Sequence, residues 1–201
     1  MDRVELTFGI TAVVGGMVGV PLGLALSTYT KCRFPRADPV ICGAGIFFSS
    51  IFLSTGMALT RTNLYLCFTC LWFGQVGINL SWSIVVDITM SLVTPTNRGT
   101  ATALQTLVGH ALGDAGSPYL IGLISDQLLT LMTGGVLPCE ERQVSGTCIE
   151  KPVYLDYRYL SLLYSLLTNC GVQLIGGTLF FITAIYIVED KRRAGQFCTR
   201  D

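Results

Sequence analysis

Five stretches of the chain, at about residues 6–28, 39–59, 64–93, 99–124 and 159–188, are apolar for long enough to cross a bilayer. Crossing takes about 20 residues of helix, because in hydrocarbon every backbone N–H and C=O must find its partner within the segment. A 201-residue chain built this way has little left for a soluble domain. The expected architecture is an all-α membrane protein, a helical bundle of about five transmembrane spans over residues 1–193, with an extracytoplasmic loop at 125–158 and a tail at 194–201. A mean hydropathy of +0.58 belongs to a chain that lives in lipid. With 13 basic against 13 acidic residues and no basic stripe, no nucleic-acid partner is expected.

Charge sets the orientation. Lys31, Arg33, Arg36 and Arg98 lie in short connections on one side, with Lys191, Arg192 and Arg193 after the last span, while Arg3 and Arg61 fall on the other. Short basic connections stay in the cytoplasm, so that side is assigned there. The long polar stretch then faces outside or a lumen, where Cys139 and Cys148 can pair and close a loop worth about 2–3 kcal/mol. Cys42, Cys67, Cys70 and Cys170 lie in apolar runs and read as small packing residues, the Cys67/Cys70 spacing included. The start, Met1-Asp-Arg-Val-Glu-Leu6, has no cleavable signal. Five spans would also leave it outside with nothing to deliver it, so further spans are expected upstream.

Within the spans, small and polar residues recur at helical spacing. Gly15, Gly19 and Gly23 fall on one face of the first span, where they permit close approach of a neighbour. Gln75, Asn79, Ser83 and Asp87 form a row along the third, which at about 45 Å is longer than a bilayer core. Such a row either joins helices, at about 0.6–2 kcal/mol per hydrogen bond, or wets a channel wall. For Asp87, near the cytoplasmic end, the alternatives are a proton-carrying role or a tie to Arg98. The stretch His110–Asp126 is the least expected of all, since it places His110, Asp114 and Pro118 inside an apolar run. Asp114 would cost about 2.5–3.5 kcal/mol at the centre of a lipid-facing helix, so it should face protein or water. Pro118 denies the Asp114 carbonyl its partner, and a kink is expected there. His110 falls on roughly the same face as Asp114, and imidazole titrates where a proton gradient operates.

These residues carry a resemblance. The run His110–Asp126, together with Pro35-Arg-Ala-Asp-Pro39, Trp82-Ser-Ile-Val-Val-Asp87, Pro95-Thr-Asn-Arg98 and Phe8-Gly9, resembles the spinster family of lipid transporters in the major facilitator superfamily. Members of that family have twelve spans, and the chain looks like the last five, the C-terminal portion. The resemblance implies export or salvage of lysophospholipid or sphingoid lipids, such as sphingosine-1-phosphate-like substrates, by alternating access between two six-helix halves. Proton coupling would accompany it, and the membrane would be the plasma membrane or that of the late endosome or lysosome. It places His110 in the family's substrate and proton region and likens Lys31, Arg33 and Arg36 to its basic cytoplasmic gating loop; the residue pattern itself adds Asp114, Asp87, Gln75, Asn79 and Ser83 as candidates for the substrate or proton pathway and Arg98 as a gating charge. Gly74-Gln75 stands where the family shows Gly-Glu, so one titratable carboxyl is absent. The implied partners are membrane lipid, a lipid-like substrate, and the missing N-terminal half or another subunit.

Two readings compete with a carrier. Half a transporter encloses no cavity alone, which makes a truncated, non-transporting subunit or regulatory isoform the first. The second is an intramembrane aspartyl protease using Asp87 and Asp114, but Ala111 stands where its Gly-x-Gly-Asp motif needs glycine. No phosphate-cradling glycine loop or metal-ligand cluster is found in the sequence, and neither a cofactor nor an enzyme activity is expected.

Overall fold

The computed structural model describes residues 2–31, 33–135 and 151–193. Helices α1 (Asp2–Lys31), α2 (Ala37–Ala58), α3 (Leu64–Leu92), α4 (Arg98–Val108), α5 (Gly116–Thr133) and α6 (Lys151–Arg193) follow in order, with a π-helical segment at Gly109–Ala115 joining α4 to α5. No strand occurs among the described residues. Local chemistry fixes the helix ends. The Asn63 side chain accepts from the amides of Tyr65 and Leu66 at 3.1 and 3.3 Å and so caps α3. At its other end Val93 and Thr94 turn extended ahead of Pro95, as a residue preceding proline must. Short 3-10 turns at Leu59–Arg61 and Pro95–Asn97 connect α2 to α3 and α3 to α4.

Among the described residues, those within 2–105 and 170–193 form one compact unit, and those within 106–169 another. In the first, α3 is the shared wall. Its one face receives the glycine stripe of α1: a Cβ on Gly15 would meet Gln75 Cβ at 3.0 Å, one on Gly19 would meet the Val76 carbonyl oxygen at 2.7 Å, and one on Gly23 would overlap the Leu80 carbonyl oxygen. The neighbour expected from the period-four glycines is therefore α3. Its other face takes α2, where Gly77 and Gly45 approach so closely that a Cβ on Gly77 would lie 2.8 Å from the Gly45 carbonyl oxygen. Helix α2 in turn receives α6 at Gly43 and Gly177, beside Phe47 and Phe181. Cys42, Ile84, Ile88 and Ile187 are buried together at this meeting of α2, α3 and α6. Lipid tails are as apolar as these side chains, so close packing and polar contacts, not hydrophobic burial, hold the helices together.

In the second unit, α5 and the first half of α6 meet at buried Ser125 and Ser161, whose hydroxyls lie 3.3 Å apart. Helix α5 ends on Gly134 and Gly135 at φ 60° and 76°. There the Gly135 amide donates to the Thr130 carbonyl at 3.0 Å and that of Gly134 to Leu131 at 3.4 Å, closing the helix as a Schellman motif.

Helices α1, α2, α3 and α6 are long and apolar enough to cross a membrane. The fourth expected span, 99–124, is helical throughout and runs through α4, the π segment and the start of α5. The loop expected at 125–158 is shorter: α5 runs to Thr133 and α6 already begins at Lys151. Leu128, Leu129, Leu131 and Met132 continue the helix beyond Ser125 to the glycine pair. The break expected at Pro118 takes the form of the π segment, in which i→i+5 bonding replaces the ordinary ladder upstream of the missing N–H. Cys139 and Cys148 lie outside the described residues.

The α1–α3 contact makes a direct prediction. Gly23→Val should destabilise the protein in detergent micelles by about 1–3 kcal/mol, as overpacking of a tight contact does. Gly9→Ala, where an added Cβ meets nothing within 4 Å, should be neutral or slightly stabilising. Thermal unfolding of both variants checks this, and equal shifts would mean that α1 is not seated on α3 by its glycines.

Candidate functional site

The sequence-derived residues separate into three groups. Gln75, Asn79 and Ser83 lie half-buried along α3, on the side facing α1. Ser83 Oγ donates to the Val20 carbonyl at 3.4 Å, and Asn79 Nδ2 donates to the Gln75 carbonyl at 2.9 Å within its own helix. Of the two bonds, the one from Ser83 joins α3 to α1. On α1, Gly16 and Gly19 leave room for the Asn79 side chain.

The second group is a node of charge at one end of the first unit. Asp38, in the first turn of α2, has no exposure to solvent. Its carboxylate accepts from Ser27 Oγ of α1 at 2.7 Å and from Lys191 Nζ of α6 at 2.9 Å, and Lys31 Nζ of α1 lies 3.9 Å away. Lys31 also pairs directly with Asp87 of α3. Two ammonium groups meet two carboxylates, so the node is neutral. The four nearest helix ends are tied through it. A carboxylate out of water needs such partners, and the α2 N-terminus adds its own favourable field. Asp87 therefore pairs with Lys31, not with Arg98 as one alternative had it. Among the expected gating charges, Lys31 belongs to the node, whereas Arg33 and Arg36 are exposed in the α1–α2 turn. Arg98 is half-buried at the start of α4, its Nε covered and without a partner among the described residues. Nearby, Thr89 of α3 donates to Gln105 of α4 and holds that helix to the same end.

Asp38 and Lys191 were not singled out as site residues from sequence. The available signal was an acid in the first turn of a helix behind a basic connection. What sequence spacing hides is burial, which here depends on a lysine 153 positions away.

The third group is His110 and Asp114, in the second unit. His110 Nδ1 meets Asp114 Oδ2 one turn along the π segment, with the side chains 54% and 73% exposed. An added Cβ on Gly109 or Gly113 would meet nothing within 4 Å, and Leu112 is exposed beside them. The unit thus presents an imidazole–carboxylate pair on an uncovered face of irregular helix. Such a pair can exchange a proton or bind a polar headgroup. Asp87 and Asp114 are each engaged with a nitrogen base of their own unit. Cys42, Cys67 and Cys170 are buried free thiols and Cys70 a half-buried one, as packing residues are.

The buried node yields a stability prediction. Asp38→Ala should cost about 3–5 kcal/mol, because it strands buried ammonium charge. Asp87→Ala, at a pair that is 32% and 40% exposed, should cost about 1 kcal/mol or less. Denaturant or thermal unfolding in micelles measures both, and an Asp38 variant as stable as the Asp87 variant would mean the node is not buried.

No family model matches the chain. Individual proteins do. It is 36% identical to Protein spinster of Drosophila melanogaster over 222 residues, covering 96% of the chain and 37% of the fly protein. Protein spinster homolog 1 of Homo sapiens is 36% identical over 190 residues, 94% of the chain and 32% of the human protein. Protein spinster homolog 3 of Danio rerio is 38% identical over 187 residues, 93% and 34% of the two chains. The chain spans about a third of the length of the relatives it matches. Likeness at this level over nearly all of its residues, in a multi-pass helical membrane protein, places the chain in the spinster family.

Proposed function

We propose that the chain is the C-terminal portion of a transmembrane transporter of lysophospholipid or sphingoid lipids, working by alternating access with proton coupling. The observation that carries this reading is the exposed His110–Asp114 pair in a helical stretch of a spinster-family membrane protein. Intramembrane ionisable residues are costly and face a bundle interior or a wet cavity, where they mark proton and substrate routes. Irregular helix at such depth is tolerated on a cavity wall, and the π segment supplies it. A carrier needs a hydrophilic point against which an amphiphile's headgroup can rest while its chain stays among apolar side chains, and Leu112, Tyr119 and Leu120 are exposed close by in sequence. His110 and Asp114 would take up a proton in one state and release it in the other. The Lys31–Asp38–Lys191–Asp87 node would act as the cytoplasmic gate, since Lys31 sits within reach of two carboxylates and can change its allegiance with a small movement of α1. The membrane is that of the cell surface or of the late endosome and lysosome.

The second reading is a truncated, non-transporting subunit or regulatory isoform. Efflux from cells or proteoliposomes separates the two, comparing lysophospholipid with phosphorylated sphingoid substrates. The assay should be run on the 201-residue chain and on a form extended to the length of its relatives. His110→Ala in the transporting form should lower flux at least about tenfold, the loss typical of a proton-transfer group, with membrane insertion intact. Unchanged flux would remove His110 from the route, and no transport by either form would leave the subunit reading standing.

A further inference from the structure

Arg33 and Arg36 remain once the charge node is satisfied. Lys31 and Lys191 are matched to Asp87 and Asp38, and among the described residues no carboxylate pairs with either arginine. Both are exposed in the turn between α1 and α2, and Phe34 between them is 60% exposed. Tyr29, on the last turn of α1, is 86% exposed. The turn is held in shape. The amides of Arg33 and Phe34 donate to the Thr30 carbonyl at 3.1 and 2.8 Å, that of Ala37 donates to the Phe34 carbonyl at 2.9 Å, and Pro35 fixes the backbone between.

A large aromatic ring presented to water between two unmatched guanidinium groups is unfavourable on a soluble face and suited to a membrane interface. There, aromatic rings sit at headgroup level and arginine forks match phosphate oxygens. By the charge asymmetry of its connections, this end of the chain faces the cytoplasmic leaflet, whose lipids are the more anionic. We propose that the α1–α2 turn is a docking surface for anionic diacyl phospholipids of that leaflet, with Arg33 and Arg36 on the phosphates and Phe34 and Tyr29 at the acyl boundary. Of the basic residues in this connection, Lys31 closes the node while the two arginines hold lipid. The proposal does not depend on what the protein carries, since lipid retention is read without transport.

The test uses the 201-residue chain in nanodiscs of phosphatidylcholine with a minor fraction of phosphatidylserine, followed by mild extraction and native mass spectrometry of the lipid retained. Wild type should retain phosphatidylserine in preference to phosphatidylcholine, and the preference should fade as salt rises. Arg33→Gln with Arg36→Gln should lower it by about fivefold for each arginine, roughly 25-fold together. Phe34→Ser should weaken retention at every salt concentration. Arg61→Gln, beyond the opposite end of α2, should leave it unchanged. A double variant that keeps the wild-type preference would overturn the proposal, as would an equal loss in the Arg61 variant. So would a wild-type preference insensitive to salt, which needs no variant to observe.

Discussion

A carboxylate removed from water costs several kcal/mol unless cations and hydrogen-bond donors replace its hydration, and Asp38 is wholly removed. Meeting that requirement brings Ser27 and Lys31 from the end of α1 and Lys191 from the end of α6 to the start of α2, while Lys31 draws in Asp87 of α3. Four helix ends are thereby fixed by one acid. Such a node contributes little net stability relative to a well-packed apolar equivalent. Its effect lies in what happens to alternatives, since any arrangement that separates these ends strands charge in a place where it cannot be hydrated.

Between the ends, the packing obeys the same solvent. Because lipid offers no hydrophobic advantage to helix pairing, α3 is held by backbones that come close enough for dispersion and polar contacts to count. Gly15, Gly19 and Gly23 admit it on one side, and Gly45 meets Gly77 on the other. Ser83 of the polar row joins that contact through the Val20 carbonyl. The polar residues expected within the spans therefore differ in setting: Gln75, Asn79 and Ser83 lie half-buried on α3, Asp87 is held in the node, and His110 and Asp114 are more than half exposed in the second unit.

The sequence made much of this legible, for physical reasons that differ by element. Apolar runs marked α1, α2, α3 and α6 because crossing lipid demands length and the absence of charge, both visible without a fold. The period-four glycines announced a close neighbour, because a bare Cα has few other uses there, but only tertiary structure identified α3 as that neighbour. Pro118 announced a broken ladder, since a missing N–H is a covalent fact. The π form it took depends on how the preceding seven residues share their carbonyls. The end of α5 was misplaced, since Gly134-Gly135 is the true terminator. Asp38 stayed hidden for a deeper reason. Nothing local distinguishes an acid that caps a helix in water from one buried under a lysine 153 positions on.

The two ionisable groups also differ in what they require of their surroundings. The node is complete: its charges cancel and Asp38 is fully covered. The His110–Asp114 pair is incomplete in the opposite sense. Each partner has the other, yet among the described residues both side chains stay more than half exposed. A helix bearing such a pair cannot turn it to acyl chains without a penalty of about 2.5–3.5 kcal/mol for the aspartate alone. Water or further protein must stand against it. In the carrier proposed above, a polar headgroup passing along this face is one such occupant, since it can meet the pair without stripping it of hydrogen-bonding partners.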